Sequence, residues 1–116
     1  MILPGSNIGA SKEGGDPNKP IPFLSNHGNA VAGIIGATKD NNIGIAGICP
    51  KCKILPVKLP DISNPTELAS AFDLVRNTAQ IVNLSISAPS VLKQMGVFRE
   101  SITRCLSSNI FIMCTK

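Results

Sequence analysis

Residues 81–114, IVNLSISAPSVLKQMGVFRESITRCLSSNIFIMC, decide the fold. Ile81–Ile86 is short, apolar and β-prone, and Ser87-Ala88-Pro89-Ser90 ends it. Val91–Ser107 then sets Leu92, Met95, Phe98, Ile102 and Leu106 on one stripe, the three- and four-residue spacing of an amphipathic helix. Ile110–Cys114 is a continuous apolar run, of the kind that fills the centre of a parallel sheet with both faces covered. Strand, helix, strand in this order predicts a right-handed crossover between parallel strands.

Upstream the pattern repeats. Asn64-Pro65-Thr66-Glu67 reads as an N-cap, a proline at the first helical position and a glutamate at the third, and Leu68, Ala71, Phe72 and Val75 follow at helical spacing to an end near Thr78. Ile54–Leu59 is a β-prone segment, with Pro56 arguing for an edge or an irregularity. The alternation specifies an α/β fold with a parallel sheet, and a sequence stopping after its last strand predicts an unfinished one. Ahead of it, Ser25 or Asn26 is suited to cap a tightly packed, buried helix through Ala30–Ile35 to about Ala37. Thr38–Ile48 is turn-rich, with Asp40-Asn41-Asn42 and two glycines favouring left-handed conformations. Residues 1–26, rich in Gly, Pro, Asn and Ser, read as a surface loop.

Composition narrows the function classes. With 116 residues, 43% of them hydrophobic and 16% charged, the chain is long enough for one modest core. The net charge of +4 is scattered, and no aromatic interleaves Lys51, Lys53 and Lys58, which argues against a nucleic-acid partner. No segment approaches the roughly 18 to 20 apolar residues of a membrane span, and Met1–Gly5 lacks the basic and apolar regions of a signal peptide. Nucleotide fingerprints of the G-x-G-x-x-G or G-x-x-x-x-G-K-[ST] kind do not occur.

Two features carry chemistry. His27 is the chain's only histidine and stands where the small-residue helix begins, a layout suited to a base because imidazole titrates near neutral pH. Cys49-Pro50-Lys51-Cys52 brings two sulfurs within disulfide or metal reach, but Cys105 and Cys114 are not spaced as a second knuckle, so a local loop pair is favoured over a thiol or metal centre.

Around His27 the sequence His27-Gly28-Asn29-Ala30-Val31-Ala32-Gly33 resembles the histidine motif H-G-T-x-V-A-G of the subtilisin-like serine proteases, or subtilases. Asn41–Pro50 is similar to the family's N-x-x-G-[IV]-x-G-[VI]-A-P stretch, Ile54–Leu59 to its following strand, and Val82–Pro89 to its V-I-N-[ML]-S-L-G-G-P segment. The resemblance covers residues 25–116, implying residues 1–24 as an N-terminal loop segment and 25–116 as a partial catalytic domain. It implies a three-layer subtilisin-like α/β fold with a parallel central sheet, incomplete in this chain. His27 then matches the general base, and Ser85, Ile86 and Ser87 match the segment that pairs main chain to main chain with a polypeptide substrate. No metal or cofactor is required, although in some subtilases the loop corresponding to Thr38–Ile45 binds calcium, and Asp40 and Asn41 offer oxygens.

The departures bear on activity. The family's aspartate lies in a D-[ST]-G motif at a strand end, whereas Asp16, the sole aspartate upstream of His27, sits in Gly14-Gly15-Asp16-Pro17 after no apolar strand. No G-T-S-M-A nucleophile motif is present, Asn29 replaces the usual Thr, and Ser87-Ala88 replaces small glycines. The reading is therefore a serine-type endopeptidase sequence inactive by itself. A non-catalytic remnant or peptide-binding pseudoenzyme is the alternative, and a C-x-x-C thiol or metal protein the third.

Overall fold

The computed structural model describes residues 6–7, 26–59, 63–85 and 96–114. They fall into two compact units, one holding residues 6–7 and 26–58, the other Leu59 onward.

In the second unit, α2 (Pro65–Val75) starts where the sequence places it. The Asn64 Oδ1 accepts hydrogen bonds from the backbone N–H of Thr66 at 3.0 Å and Glu67 at 3.4 Å, satisfying two donors that a helix start leaves unpaired. The helix stops at Val75, short of the expected Thr78, because Thr78 and Ala79 both donate to the Val75 carbonyl and turn the chain. Leu68, Ala69, Ala71, Phe72 and Val75 form its buried face.

Next come β3 (Ile81–Leu84), α3 (Gly96–Ser107) and β4 (Phe111–Cys114). The two strands pair in parallel, Ile81 opposite Phe111 through Leu84 opposite Cys114, so the expected strand–helix–strand crossover is present. At the end of α3, Asn109 takes a left-handed conformation (φ 58°), as asparagine does after helices. The Ile110 N–H then donates to the Cys105 carbonyl at 3.2 Å, leading the chain into β4.

Leu68 and Phe72 of α2, Phe98 and Cys105 of α3, and Ile110 make one core, with Leu59, Val82, Leu84, Ile102 and Ile112 packed against it. The Phe72 and Phe98 rings meet edge to face, 5.7 Å apart at 64°. The helical stripe differs from the expected one at its end. Phe98, Ser101 and Cys105 are buried while Leu106 is exposed, because steps of three and four from Phe98 reach 101 and 105 and turn 106 outward. Leu92 and Met95 lie outside the described residues. The buried Ser101 hydroxyl donates to the Val97 carbonyl at 2.8 Å, and the Cys105 Sγ to the Phe72 carbonyl at 3.4 Å. Burial pushes the Cys105 thiol above its usual range.

β4 corrects the expectation of burial on both faces. Ile112 lies toward the core, but Phe111 and Met113 on the other face are 64% and 52% exposed, with Ile81 of β3 beside Phe111 at 62%. Alternate side chains leave a strand on opposite sides, and α2 and α3 supply the core residues for one side only.

An ion pair ties α3 to α2. Arg104 donates to both carboxylate oxygens of Asp73, Nε to Oδ1 at 2.9 Å and Nη2 to Oδ2 at 2.7 Å. Those hydrogen bonds are the main cause that holds the Asp73 carboxyl below its ordinary range; partial burial opposes them, and the charges of Arg104 and Arg76 add to them. A carboxylate whose folded pKa is depressed stabilises fully above its unfolded value near 3.9, and loses that contribution as pH falls through the folded value. Both side chains are more than a third exposed, so solvent screens the pair and its effect is small beside a core truncation. Asp73→Asn is therefore expected to lower the urea midpoint slightly at pH 7, with the difference from the parent shrinking as the pH falls below the ordinary carboxylate range.

In the first unit, α1 (His27–Gly36) ends at a clasp and β1 (Ser6–Asn7) pairs in parallel with β2 (Val57–Lys58). The ladder covers only two residues of the expected Ile54–Leu59 strand and starts directly after Pro56, which has no N–H to contribute. α1 is not the buried helix expected. None of its residues is fully buried and Ile34 is 57% exposed, while residues 31–33, 35 and 36 are half-buried; among the described residues the Gly47–Ile54 segment packs on its C-terminal turn.

Candidate active-site histidine and strand

His27 is the first residue of α1 and is exposed. Asn26 occupies the cap position with its carbonyl accepting from the Ala30 N–H at 2.9 Å. Its side chain makes no capping bond, contrary to expectation, since φ −68° and ψ 20° depart from the extended conformation that aims a cap side chain at the helix. Ser25 lies outside the described residues.

The far end of the helix is held by a segment close in sequence. The N–H groups of Gly47, Ile48 and Cys49 donate to the carbonyls of Ala37, Ile34 and Ile35 at 3.0, 3.0 and 2.7 Å. This pairs carbonyls that a helix end otherwise leaves to solvent. The approach requires glycine at 47, where a Cβ would meet the Ala37 nitrogen and lie 2.7 Å from the Gly36 nitrogen. Beyond it Cys49 and Cys52 form a disulfide, one of the pairings that their C-x-x-C spacing allows. Ile54 then returns to the helix, its Cδ1 2.9 Å from where a Cβ on Gly36 would stand.

Between helix and clasp, Asp40, Asn42 and Gly44 adopt left-handed conformations with φ 60°, 58° and 64°, as the Asn- and Gly-rich stretch predicts. Asn41 Oδ1 accepts from the Ile43 N–H at 3.1 Å, and the Asp40 carboxylate lies 3.8 Å from the Lys39 ammonium. Asn41 Oδ1 thus holds an N–H of its own loop, and the Asp40 carboxylate stands near a cation. Two such side chains fall short of the six to eight oxygens that calcium takes and do not by themselves make a calcium site. Among the described residues no cluster of three metal-ligating side chains occurs.

In the second unit, Ser85 directly follows β3 and is half-buried, with its Oγ accepting from Asn83 Nδ2 at 2.9 Å. This is the carboxyl end of a parallel strand, where α/β sheets place their ligand crevices. Ile86, Ser87 and Asp16 lie outside the described residues. The clasp Gly47–Cys49 coincides with Gly47 and the Cys49-x-x-Cys52 pair in the sequence, which mark its place but not its hydrogen bonds to the helix end.

Parallel strands joined by a crossover helix define an α/β protein of the parallel-sheet class. The chain belongs to the subtilase family, whose model matches residues 5–114. Among its relatives, the thermophilic serine proteinase of Bacillus sp. (strain AK1) is 37% identical over 67 residues, 54% of this chain and 17% of that protein. The intracellular serine protease of Paenibacillus polymyxa is 25% identical over 97% of this chain and 34% of its own length. The major intracellular serine protease of Bacillus subtilis (strain 168) is 25% identical over 98% and 35%. The chain thus spans about a third or less of these relatives. No solved structure matches it at a significant level. Among the described residues no helix is long and apolar enough to cross a membrane.

Proposed function

We propose that this chain carries the general base and part of the substrate cleft of a serine endopeptidase. The observation that carries the reading is the placement of the H-G-N-x-V-A-G histidine at the first position of α1 in a member of the subtilase family. His27 takes the proton from a serine hydroxyl as that oxygen attacks the scissile carbonyl, and returns it to the leaving amine. Ser85, Ile86 and Ser87 pair main chain to main chain with an extended polypeptide, the sheet-edge mode of peptide recognition.

On this reading residues 1–116 do not hydrolyse peptides by themselves. The sequence contains no G-T-S-M-A motif, and a base without its nucleophile has no proton to take. A fluorophosphonate serine-hydrolase probe tests it, applied to the 116-residue chain and to a gene product carrying the flanking coding sequence. The expected result is labelling of the extended product alone. Labelling of neither favours a peptide-binding pseudoenzyme, and labelling of the 116-residue chain overturns the account of its inactivity.

A further inference from the structure

We propose that the Cys49–Cys52 disulfide is a redox-sensitive latch on α1, opened by a dithiol reductant, whose opening loosens the C-terminal turn of the helix that bears His27. The geometry of residues 34–54 carries this inference, which stands apart from any role of His27. The disulfide closes a ring of residues 49–52 between two attachments to the same helix end. On one side are the hydrogen bonds from Gly47, Ile48 and Cys49 to Ala37, Ile34 and Ile35; on the other is Ile54 against Gly36. A covalent ring between two anchor points lowers the entropy of the detached segment, so the attached state is favoured while the ring is closed. α1 has no fully buried residue with which to resist loosening, which makes these attachments decisive for its last turn.

The ring is also placed for exchange. Cys49 and Cys52 are half-buried, not enclosed, and Lys51 and Lys53 on either side of Cys52 are exposed. Cationic neighbours favour an incoming thiolate and stabilise a departing one. A thiolate of the dithiol attacks one sulfur, breaking the S–S bond and forming a mixed disulfide. The second thiol of the reductant then displaces the protein sulfur. Two electrons and two protons pass to Cys49 and Cys52, which end as thiols, and the dithiol ends as its own disulfide.

Amide hydrogen exchange on the 116-residue chain, with and without dithiothreitol, tests the latch. Thiol titration confirms the state by the appearance of two further thiols on reduction. The Ile48 and Cys49 amides are expected to exchange about twentyfold faster once the ring opens, the constraint of so small a loop. The double substitution Cys49→Ser with Cys52→Ser is expected to reproduce the fast exchange without reductant and to be insensitive to it. Equal exchange in the two redox states, whether fast or slow, overturns the proposal. So does a dithiothreitol effect that persists in the double variant, because the reductant would then be acting elsewhere.

Discussion

His27→Ala, in a gene product carrying these residues together with a serine nucleophile, is expected to lower kcat/KM for a peptide substrate by roughly 10⁴-fold or more, the size of loss when one member of such a relay is removed. The loss should fall on kcat and leave KM near its parent value. A general base acts in the transition state and adds little to ground-state binding. No second imidazole in this sequence can stand in, since His27 is its only histidine. His27→Gln keeps hydrogen-bonding capacity but cannot accept a proton near neutral pH, so it should fail as completely as the alanine variant. Steady-state rates with a chromogenic peptide separate these outcomes. A variant retaining a tenth of the parent rate would remove His27 from the mechanism, whatever the family pattern around it.

The features most legible in sequence were those in which a side chain and its backbone role coincide. Asn64-Pro65-Thr66-Glu67 specified a helix start, and Asn64 Oδ1 accepts from two N–H groups there. Ile81–Leu84 and Phe111–Cys114 were legible as parallel strands because β-branched and apolar side chains cluster in them. What stayed hidden depended on partners distant in sequence. Ser6–Asn7 has no apolar period of its own and becomes a strand only by pairing with Val57–Lys58. The outer face of β4 reads as core from its composition, yet Phe111 and Met113 are exposed, because hydrophobicity says that a residue favours cover without saying what supplies it. α1 shows the same limit: small apolar residues imply close packing, but none of them is fully buried. For the proposed site, the motif around His27 is visible in the sequence and the structure sets that residue at the first position of α1, whereas the Gly47 and cysteine signals at the other end of the helix do not specify the backbone hydrogen bonds of the clasp.

Phe72→Ala is expected to destabilise the second unit by about 3–5 kcal/mol, the usual range for truncating a buried aromatic side chain. Phe72 is 2% exposed and shares the core with Leu68, Phe98, Cys105 and Ile110, so its loss leaves a cavity lined by both helices and the entry to β4. Within that total, the edge-to-face contact with Phe98 accounts for about 0.5–1.5 kcal/mol beyond area burial. A unit this small has little stability in reserve, small domains lying near the lower end of the 5–15 kcal/mol that folded proteins possess. The variant should therefore be largely unfolded at modest urea concentrations. Far-UV circular dichroism is the suitable probe, because the chain has neither Trp nor Tyr to report by fluorescence. Leu74→Ala, two positions along the same helix but 43% exposed, is the internal comparison and should shift the midpoint far less. Phe72→Leu, which refills much of the volume, should fall between them. Equal shifts for Phe72→Ala and Leu74→Ala would mean that α2 does not bury this face, and the packing of α2 and α3 over β3 and β4 would have to be abandoned.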